Sequence, residues 1–224
     1  SRFGSDKPDL RFGMELVDAS DLVAGGPFSV FADAVASGGT VRMIRAEGCA
    51  GLSRREIDEL ARHVRTYRAG GLAWLAVEDP FRGSIAKFFD PDVLAMLAER
   101  AGAVAGDVLF FVADRTPVAL EALGQLRLEL ARRLGLLHRD EYALLWVTEF
   151  PLLEHDPEAG RYVAMHHPFT SPMDEDLPLL ATDPGAVRAK AYDIVLNGTE
   201  LGGGSIRIHD QALQRRMLDR KSVV

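Results

Sequence analysis

The sequence has one cysteine, Cys49, and no apolar run near the ~18 residues that a membrane-spanning helix needs. A single cysteine excludes an internal disulfide, and it cannot build a zinc site by itself. The first ten residues carry charges and no apolar core, which is unlike a secretory signal. These absences predict a protein of the reducing cytoplasm with no membrane association.

The sequence also lacks an excess of positive charge, internal repeats and low-complexity stretches. Its 26 basic and 33 acidic residues give a net charge of −7, so the chain as a whole does not attract nucleic acid. Hydrophobic residues make up 47% of the 224 positions, which is an ordinary globular value. The length is sufficient for one large domain or two small ones.

The first half alternates helix and strand patterns. Ser53 and Glu56 have the spacing of a capping box, and an apolar face at helical spacing follows them. Asp107–Ala113 (DVLFFVA) is typical of a buried strand. We expect a small α+β domain with a largely antiparallel sheet, in the order β-β-α-β-α-β. Its predicted elements after the short helix Asp18–Ala24 are strand-like Phe28–Ala32, strand Thr40–Ala46, helix Ser53–Ala69, strand Leu72–Val77, a helix opened by Asp90-Pro91 and strand Asp107–Ala113.

The second half predicts a helix that opens at Thr116-Pro117, followed by a sheet. The apolar run Tyr142–Phe150 predicts a strand that is covered on both faces. Further strands are expected at Val163–His166, Tyr192–Leu196 and Ser205–His209, with a helix after His209. The expected organisation is therefore the end of a preceding segment (residues 1–17), an α+β domain (18–115) and a second domain (116–224).

Candidate functional residues concentrate in the last third. Gly202, Gly203 and Gly204 interrupt a strand pattern, and by themselves they favour a tight turn over close approach to a ligand. Alternation over Ser205–His209 places Arg207 opposite the buried isoleucines, where a guanidinium could bind a carboxylate or simply lie at the surface.

Two carboxylates and a histidine pair complete the set of candidates. Asp193 and Glu200 could hold Mg²⁺ together with phosphate oxygens, although acidic residues beside strands are common. The pair His166-His167 could orient a substrate, and its spacing does not favour a zinc site. Nothing marks Cys49 as a nucleophile, so no covalent nucleophile is expected.

Four strings make the sequence resemble the bacterial type of aspartyl-tRNA synthetase. They are GSDKPDLRFGMEL (Gly4 to Leu16), LWVTEFPLLE (Leu145 to Glu154), AMHHPFTSP (Ala164 to Pro172) and AYDIVLNGTELGGGSIRIHD (Ala191 to Asp210). The first α+β domain lies where this family carries its GAD insertion, a domain also found in a tRNA-dependent amidotransferase subunit. The resemblance covers Gly4 to about Asp210.

The resemblance implies a class II ligase that joins aspartate to ATP and passes the aspartate to the 3′ end of tRNA. Its catalytic domain would be an antiparallel sheet flanked by helices. By carry-over, Arg207 would hold the side-chain carboxylate of aspartate, and His166 would contact the same amino acid. Glu200 would bind ATP with its Mg²⁺, with Asp193 as a second metal-side carboxylate. The backbone at Gly202, Gly203 and Gly204 would approach the adenylate.

The sequence departs from the family pattern in several places. The anticodon-binding barrel and class II motifs 1, 2 and 3 are not found, and the last residues, Met217–Val224, do not fit. We therefore expect a fragment or a truncated reading frame that is inactive by itself, with exposed strand edges and an apolar face near Ala143–Val147. Family members are homodimers, but motif 1 builds that interface. The alternative is a non-catalytic, tRNA-associated GAD module, which would have no need for AMHHPFTSP or TELGGGSIR.

Overall fold

The computed structural model describes residues 2–156 and 158–219. The chain forms two compact units, Ser1–Glu141 and Tyr142–Val224. Both contain helices and antiparallel strands, which confirms the predicted α+β class. Residues 220–224, the end of the tail that departs from the family pattern, lie outside the described residues.

The first unit is built on a five-stranded sheet in the order β1-β2-β5-β3-β4, in which all neighbours are antiparallel. The strands are β1 (Val17–Asp18), β2 (Thr40–Ala46), β3 (Ala73–Ala76), β4 (Arg82–Gly83) and β5 (Val108–Asp114). The helices are α1 (Ser20–Val23), α2 (Ser29–Ala36), α3 (Arg54–Arg65), α4 (Pro91–Arg100) and α5 (Thr116–Arg133).

The central strand β5 explains why this unit has three layers. Its alternating side chains enter two separate cores: Phe110 packs on the side of α3 and α5, and Phe111 on the side of α1, α2 and α4. Because a strand buried on both faces must be apolar throughout, the run DVLFFVA predicted this position. The capping box at the start of α3 is also confirmed, with Ser53 and Glu56 bonded reciprocally.

One predicted strand is a helix. The segment Phe28–Ala32 was expected to be strand-like, but α2 begins at Ser29 and continues to Ala36. Its apolar residues are too few to distinguish a strand from one side of a short helix. Phe31 packs from α2 onto Phe111 of the sheet, at 5.7 Å between ring centroids.

The division between the units falls after Glu141, whereas the expected boundary followed residue 115. Helix α5 accounts for the difference, because its leucine face packs into the core under the sheet. Leu123, Leu126 and Leu130 are all buried in the cluster that contains Phe110. The prediction treated this leucine face as part of the second domain, and sequence periodicity alone does not show which sheet a helix covers.

The amino-terminal segment, expected to end a preceding domain, is held on α5 of the first unit. Arg127 is 1% exposed and donates hydrogen bonds to the backbone oxygens of Asp9 (2.6 Å), Phe12 (2.8 Å) and Gly13 (3.1 Å). Its guanidinium also lies 4.0 Å from the ring centroid of Phe12. Burial lowers the pKa of Arg127 to about 10, against the charges of Asp9 and Glu15 that raise it.

Glycines allow the amino-terminal segment to cross α5 closely. A Cβ on Gly4 would lie 2.1 Å from the carbonyl oxygen of Leu120, and one on Gly124 would lie 2.6 Å from the oxygen of Gly4. Gly4 also has a φ of 70°, in the left-handed region. Any larger residue at either position would push the segment off the helix.

The second unit has two small sheets, one in the order β10-β9-β6 and the other pairing β7 with β8. The strands are β6 (Leu144–Thr148), β7 (Leu153–Asp156), β8 (Arg161–Ala164), β9 (Ala191–Leu196) and β10 (Thr199–Ser205), and the helices are α6 (Leu179–Thr182) and α7 (Gln211–Asp219). Short 3₁₀ turns cover Asp174–Asp176 and Pro184–Ala186.

The glycine run lies within strand β10, so the tight-turn interpretation is wrong. The turn is instead Asn197-Gly198, with φ of 49° and 83°, which suits a two-residue hairpin loop. The strand predicted at Ser205–His209 is therefore displaced toward the amino terminus, and it ends at Ser205. A bulge between Glu200 and Gly202 shifts the register of the pair.

Strand β6 was expected to be covered on both faces, and this is also wrong. It forms an edge of its sheet, where Leu144 is 58% and Trp146 61% exposed. The exposed apolar face expected near Ala143–Val147 is thus present. The core of this unit is small, and its buried members are Phe150, Leu152, Leu153, Leu180, Val187, Ala189 and Met217.

Candidate active site

Three segments of the second unit are joined by backbone hydrogen bonds and form the frame of the candidate site. Ser171 N–H donates to Ile206 O (2.8 Å), and Ile208 N–H donates to Phe169 O (2.9 Å). Lys190 bridges the two segments, since its N–H donates to Ser171 O and its carbonyl accepts from Ile206 N–H. The HHPFTSP segment is therefore fixed against the chain that leaves β10.

A cavity of about 170 Å³ lies inside this frame. It contains four of the residues predicted from the sequence, namely His166, Asp193, Gly204 and Arg207. Glu200, Gly202 and Gly203, which were predicted with them, are not among the described residues that line it. The remaining lining residues are Phe150, His167, Thr170, Ala191 and Ser205.

Arg207 supplies a cation at the cavity. It is exposed, and no ion pair to it occurs among the residues that the structure describes. Its backbone forms an isolated bridge with Thr170, which is 2% exposed. The predicted alternation with buried isoleucines does not hold, because Ile206 is 51% exposed and the strand has already ended. Arg207 nevertheless lines the cavity, and a guanidinium is able to donate two parallel hydrogen bonds to a carboxylate.

The two histidines of the cavity are held by aromatic neighbours. The His166 ring meets Phe150 edge to face, with centroids 4.9 Å apart. His167 Nδ1 accepts a hydrogen bond from the N–H of Phe169 at 3.1 Å, so a neutral His167 carries its proton on Nε2. Both rings are thereby oriented before any ligand arrives.

Asp193 and Glu200 project from the same face of the hairpin. Asp193 lies opposite Gly203, and Glu200 lies opposite Val195, two residues further along β9. Directly opposed residues of an antiparallel pair share a face, and so do residues two apart on one strand. Glu200 is therefore on the side of the sheet that carries Asp193, beyond the cavity.

The structure explains why a glycine occupies position 203. A Cβ at this position would lie 1.9 Å from Asp193 Oδ1, so the glycine leaves the room that the carboxylate occupies. Gly204 does the same for Tyr192, whose hydroxyl would be 2.9 Å from an added Cβ. Gly202 differs from both, since no atom lies within 4 Å of its added Cβ. The family resemblance had implied that the backbone at all three approaches the adenylate.

No group of three or more His, Cys, Asp or Glu side chains in the described residues could hold a metal ion by itself. Mg²⁺, however, is commonly bound by one or two carboxylates together with substrate phosphates and water. Asp193 and Glu200, on one face, provide such a pair. The donor set therefore fits a magnesium ion brought by a nucleotide better than a resident metal.

Comparison with known proteins supports the resemblance along nearly the whole chain. Residues 31–123 match the GAD domain family. An aspartate–tRNA ligase of Ruminiclostridium cellulolyticum is 62% identical over 218 residues, which are 96% of this chain and 37% of the relative. The chain is a homologue of part of the aspartate–tRNA ligases.

Two further relatives are similar to the chain to a comparable extent. An aspartate–tRNA(Asp/Asn) ligase of Moorella thermoacetica is 59% identical over 97% of this chain, and an aspartate–tRNA ligase of Clostridium botulinum is 54% identical over 96%. The chain spans 36–37% of the length of these aspartate–tRNA ligases. No helix in the described part of the chain is long and apolar enough to cross a membrane.

Arg188 has a structural role in the second unit that the sequence did not reveal. It donates hydrogen bonds to Asp176 (2.8 Å), Glu175 (3.0 Å) and Glu149 (3.0 Å). From the segment before β9 it thus ties the residue before Phe150 to the 3₁₀ turn. The hydrogen bond between the two side chains raises the pKa of Arg188 and lowers that of Asp176. No local pattern marks such a residue, because its partners come from distant segments.

Proposed function

We propose that the chain is part of an aspartate–tRNA ligase of the cytoplasm. In the reaction of such a ligase, the α-carboxylate of aspartate attacks ATP to give aspartyl-adenylate and pyrophosphate. The aspartate is then transferred to tRNA. The observation that carries the proposal is the cavity shared by Arg207, His166 and Asp193. Catalysis would come from orientation and charge stabilisation, with no covalent enzyme intermediate.

Arg207 would bind the side-chain carboxylate of the substrate. A guanidinium offers two parallel donors that match a carboxylate, and asparagine cannot accept both of them in the same way. His166, held against Phe150, would contact the same amino acid. Together these residues would select aspartate over its amide.

Glu200 and Asp193 would act on the nucleotide side. Both project from one face of the β9–β10 hairpin, with Asp193 at the cavity and Glu200 beyond it. They would hold Mg²⁺ through their carboxylates, and the ion when bound would offset the negative charge of the phosphates. The backbone of Gly202, Gly203 and Gly204 would lie along the adenylate, with free space at the Cβ position of Gly202 and with Asp193 and Tyr192 beside Gly203 and Gly204.

The partners proposed for the whole protein are aspartate, ATP and a tRNA. The names of the relatives support the aspartate tRNA as acceptor, and that of the Moorella thermoacetica protein adds the asparagine tRNA as a second candidate. A homodimer is proposed from the family alone. Motif 1, which builds the family interface, was not found in this sequence.

Binding of aspartate by the 224-residue chain tests the proposal. Titration calorimetry with aspartate and with asparagine should show a preference for aspartate of about tenfold or more, because a charged hydrogen-bonded pair contributes ~1.5–3 kcal/mol. Arg207→Ala should abolish the preference. The matched control is Arg215→Ala, an exposed arginine of α7.

Absence of aspartate binding by a chain that circular dichroism shows to be folded would overturn the proposal and favour the non-catalytic GAD module. Aspartate-dependent ATP–pyrophosphate exchange is a second measurement. We expect none from this chain, because the ATP-binding arginines of motifs 2 and 3 were not found in it. Clear exchange, abolished by Arg207→Ala, would mean that those motifs are not needed.

A further inference from the structure

A larger groove lies in the first unit, remote in sequence from the candidate active site. It has a volume of about 630 Å³ and runs between helix α3 and the strands β3 and β4. Its floor is apolar and includes Leu52, Ile57, Leu72 and Trp74. Its charged lining residues are Arg54, Arg65, Arg82 and Asp58. The proposed ligase chemistry uses none of these residues.

One wall of the groove is a single face of α3. Arg54, Asp58, Ala61 and Arg65 recur at the spacing that brings helical residues to one side. Arg54 and Arg65 are exposed, and among the described residues neither forms an ion pair. Arg55, next to Arg54 but outside the groove, does form one, with Glu59 at 3.2 Å. Two guanidinium groups of this helix that form no ion pair among the described residues, those of Arg54 and Arg65, thus line the groove, whereas Arg62 lies outside it.

The opposite wall presents Arg82 in a fixed position. Its Nε donates to Glu78 at 2.9 Å, and its Nη2 donates to the carbonyl oxygen of Ala50 at 2.8 Å. The guanidinium lies 5.4 Å from the ring centroid of Trp74. Since Glu78 neutralises much of its charge, Arg82 mainly adds a flat, polarised surface on which a planar group can stack.

The spacing of the free cations indicates the type of ligand. Arg54 and Arg65 are eleven residues apart on one helix, which corresponds to about 16 Å along its axis at 1.5 Å per residue. A single phosphate cannot contact both side chains at once without a large distortion. A chain of phosphates can, and Asp58 between the two arginines disfavours a compact anion at the centre.

We propose that this groove binds a single-stranded segment of RNA, with phosphates on Arg54 and Arg65 and a base against Arg82 and Trp74. The choice of RNA over an acidic peptide rests on the proposed function, in which tRNA is a substrate. The positive groove lies on a chain with a net charge of −7, so binding is local and strongly dependent on salt.

The test is fluorescence anisotropy of a labelled 12-nucleotide single-stranded RNA with the full chain at several salt concentrations. The double variant Arg54→Ala/Arg65→Ala should lose about tenfold in affinity at 50 mM salt. Its salt slope should fall by about 1.4, at ~0.7 per phosphate contact. Arg62→Ala removes one positive charge from the same helix outside the groove, and it should leave the affinity within twofold of that of the unmodified chain.

Three outcomes would overturn the proposal. One is that no RNA binds at 50 mM salt, and another is that Arg62→Ala weakens binding as much as the double variant Arg54→Ala/Arg65→Ala does. The third is that a polyglutamate peptide of equal charge competes as well as unlabelled RNA, which would assign the groove to an acidic protein segment. Aspartate binding by the double variant separates the two proposals, because it depends on Arg207 and should be unchanged.

Discussion

The first unit buries its sheet on both faces, whereas the second leaves one face of its three-stranded sheet in solvent. Strand β5 sends Phe110 into one core and Phe111 into another, and both are fully buried. Strand β6 instead alternates half-buried residues with exposed ones, such as Leu144 and Trp146. The unit with the larger cores carries none of the residues assigned to catalysis, and the unit with the small core carries them all.

This contrast has a physical reason. A site that binds charged ligands needs polar side chains, glycines and accessible strands, and each of these reduces the apolar area that the unit can bury. In the second unit Gly203 makes room for Asp193, and a larger residue would strengthen packing only by displacing that carboxylate. The larger buried cores and the residues proposed for catalysis are therefore in different parts of the chain.

The largest expected difference between the units is in resistance to protease. We predict that limited proteolysis of the 224-residue chain leaves a resistant core within Ser1–Glu141, because opening of the second unit exposes fewer buried groups. Mass spectrometry of the time course would identify the fragment. A single resistant core of the full chain length would contradict the hypothesis that the second unit is marginally stable.

Substitutions at the two kinds of strand sharpen the comparison. Phe111→Ala should lower the free energy of unfolding of the first unit by about 3–5 kcal/mol, because it leaves a cavity in a packed core. Leu144→Ala, at an exposed position, should change that of the second unit by no more than about 0.5 kcal/mol. Each unit has one tryptophan, Trp74 or Trp146, so urea unfolding can be followed separately after replacing the other by phenylalanine. Similar losses of unfolding free energy for Phe111→Ala and Leu144→Ala would contradict the difference in burial between the two strands.

Arg127 should be the most sensitive polar position of the first unit. Arg127→Ala leaves the buried carbonyl oxygens of Asp9 and Phe12, and that of the exposed Gly13, without their donor and should cost about 3 kcal/mol in the same unfolding measurement. Arg127→Lys keeps the charge without the planar fork and should recover only part of the loss. Full recovery by lysine would mean that charge alone, and not the three directed hydrogen bonds, holds the segment.

The three glycines of β10 provide a matched series within the second unit. Gly203→Ala should destabilise this unit by about 1–3 kcal/mol and move Asp193, since the new Cβ overlaps the carboxylate. Gly202→Ala should have little effect, because its Cβ meets open space. Urea unfolding followed at Trp146 measures both. Equal effects at the two positions would show that the glycines act through backbone flexibility instead.

The smallest expected effect concerns the acid dependence of the first unit. Hydrogen bonds from Arg132 and Arg133 lower the pKa of Glu129 from 4.5 to about 2 against the effect of burial. A carboxyl group with a lowered folded-state pKa stabilises the fold above its unfolded pKa, and the contribution is lost as the pH falls through the folded value. For a partly exposed pair the contribution at pH 7 should be no more than about 1 kcal/mol.

The difference in unfolding free energy between the unmodified chain and Glu129→Gln should therefore be present at pH 7 and disappear toward pH 2. Urea unfolding followed at Trp74 measures it. Glu121→Gln, at an exposed residue of the same helix for which the described residues show no ion pair, is the control. A difference that persists at pH 2 would show that Glu129 acts through packing and not through its charge.

Local sequence patterns correctly predicted those helices and strands that are specified by residues close together in the chain. The capping box at Ser53 and the continuous apolar run of β5 specify a helix start and a buried strand without help from distant residues. Helix α2 was missed because the segment that begins at Phe28 is short and apolar in either conformation. The assignment of α5 to the first unit was missed because the spacing of leucines along a helix does not indicate which sheet the helix packs against.

For the candidate site, the residues alone left several alternatives, and the resemblance selected among them. Arg207 and His166 were expected together, and the structure places both at one cavity. Thr170 and Arg188 were not expected, since their importance comes from partners that are distant in sequence. The reason for Gly203 also needed the structure, because only the register of β9 and β10 brings it opposite Asp193.

The burial of Arg127 has a consequence for the time at which the chain can complete its fold during synthesis. Its hydrogen bond to Asp9 joins residues 118 positions apart, and a ribosome adds about 5–20 residues each second. The amino-terminal segment therefore waits roughly 6–24 s for its partner, with Phe12 uncovered in the meantime. Until Arg127 has been added, the backbone of this early segment lacks the buried donor that holds it in the folded unit.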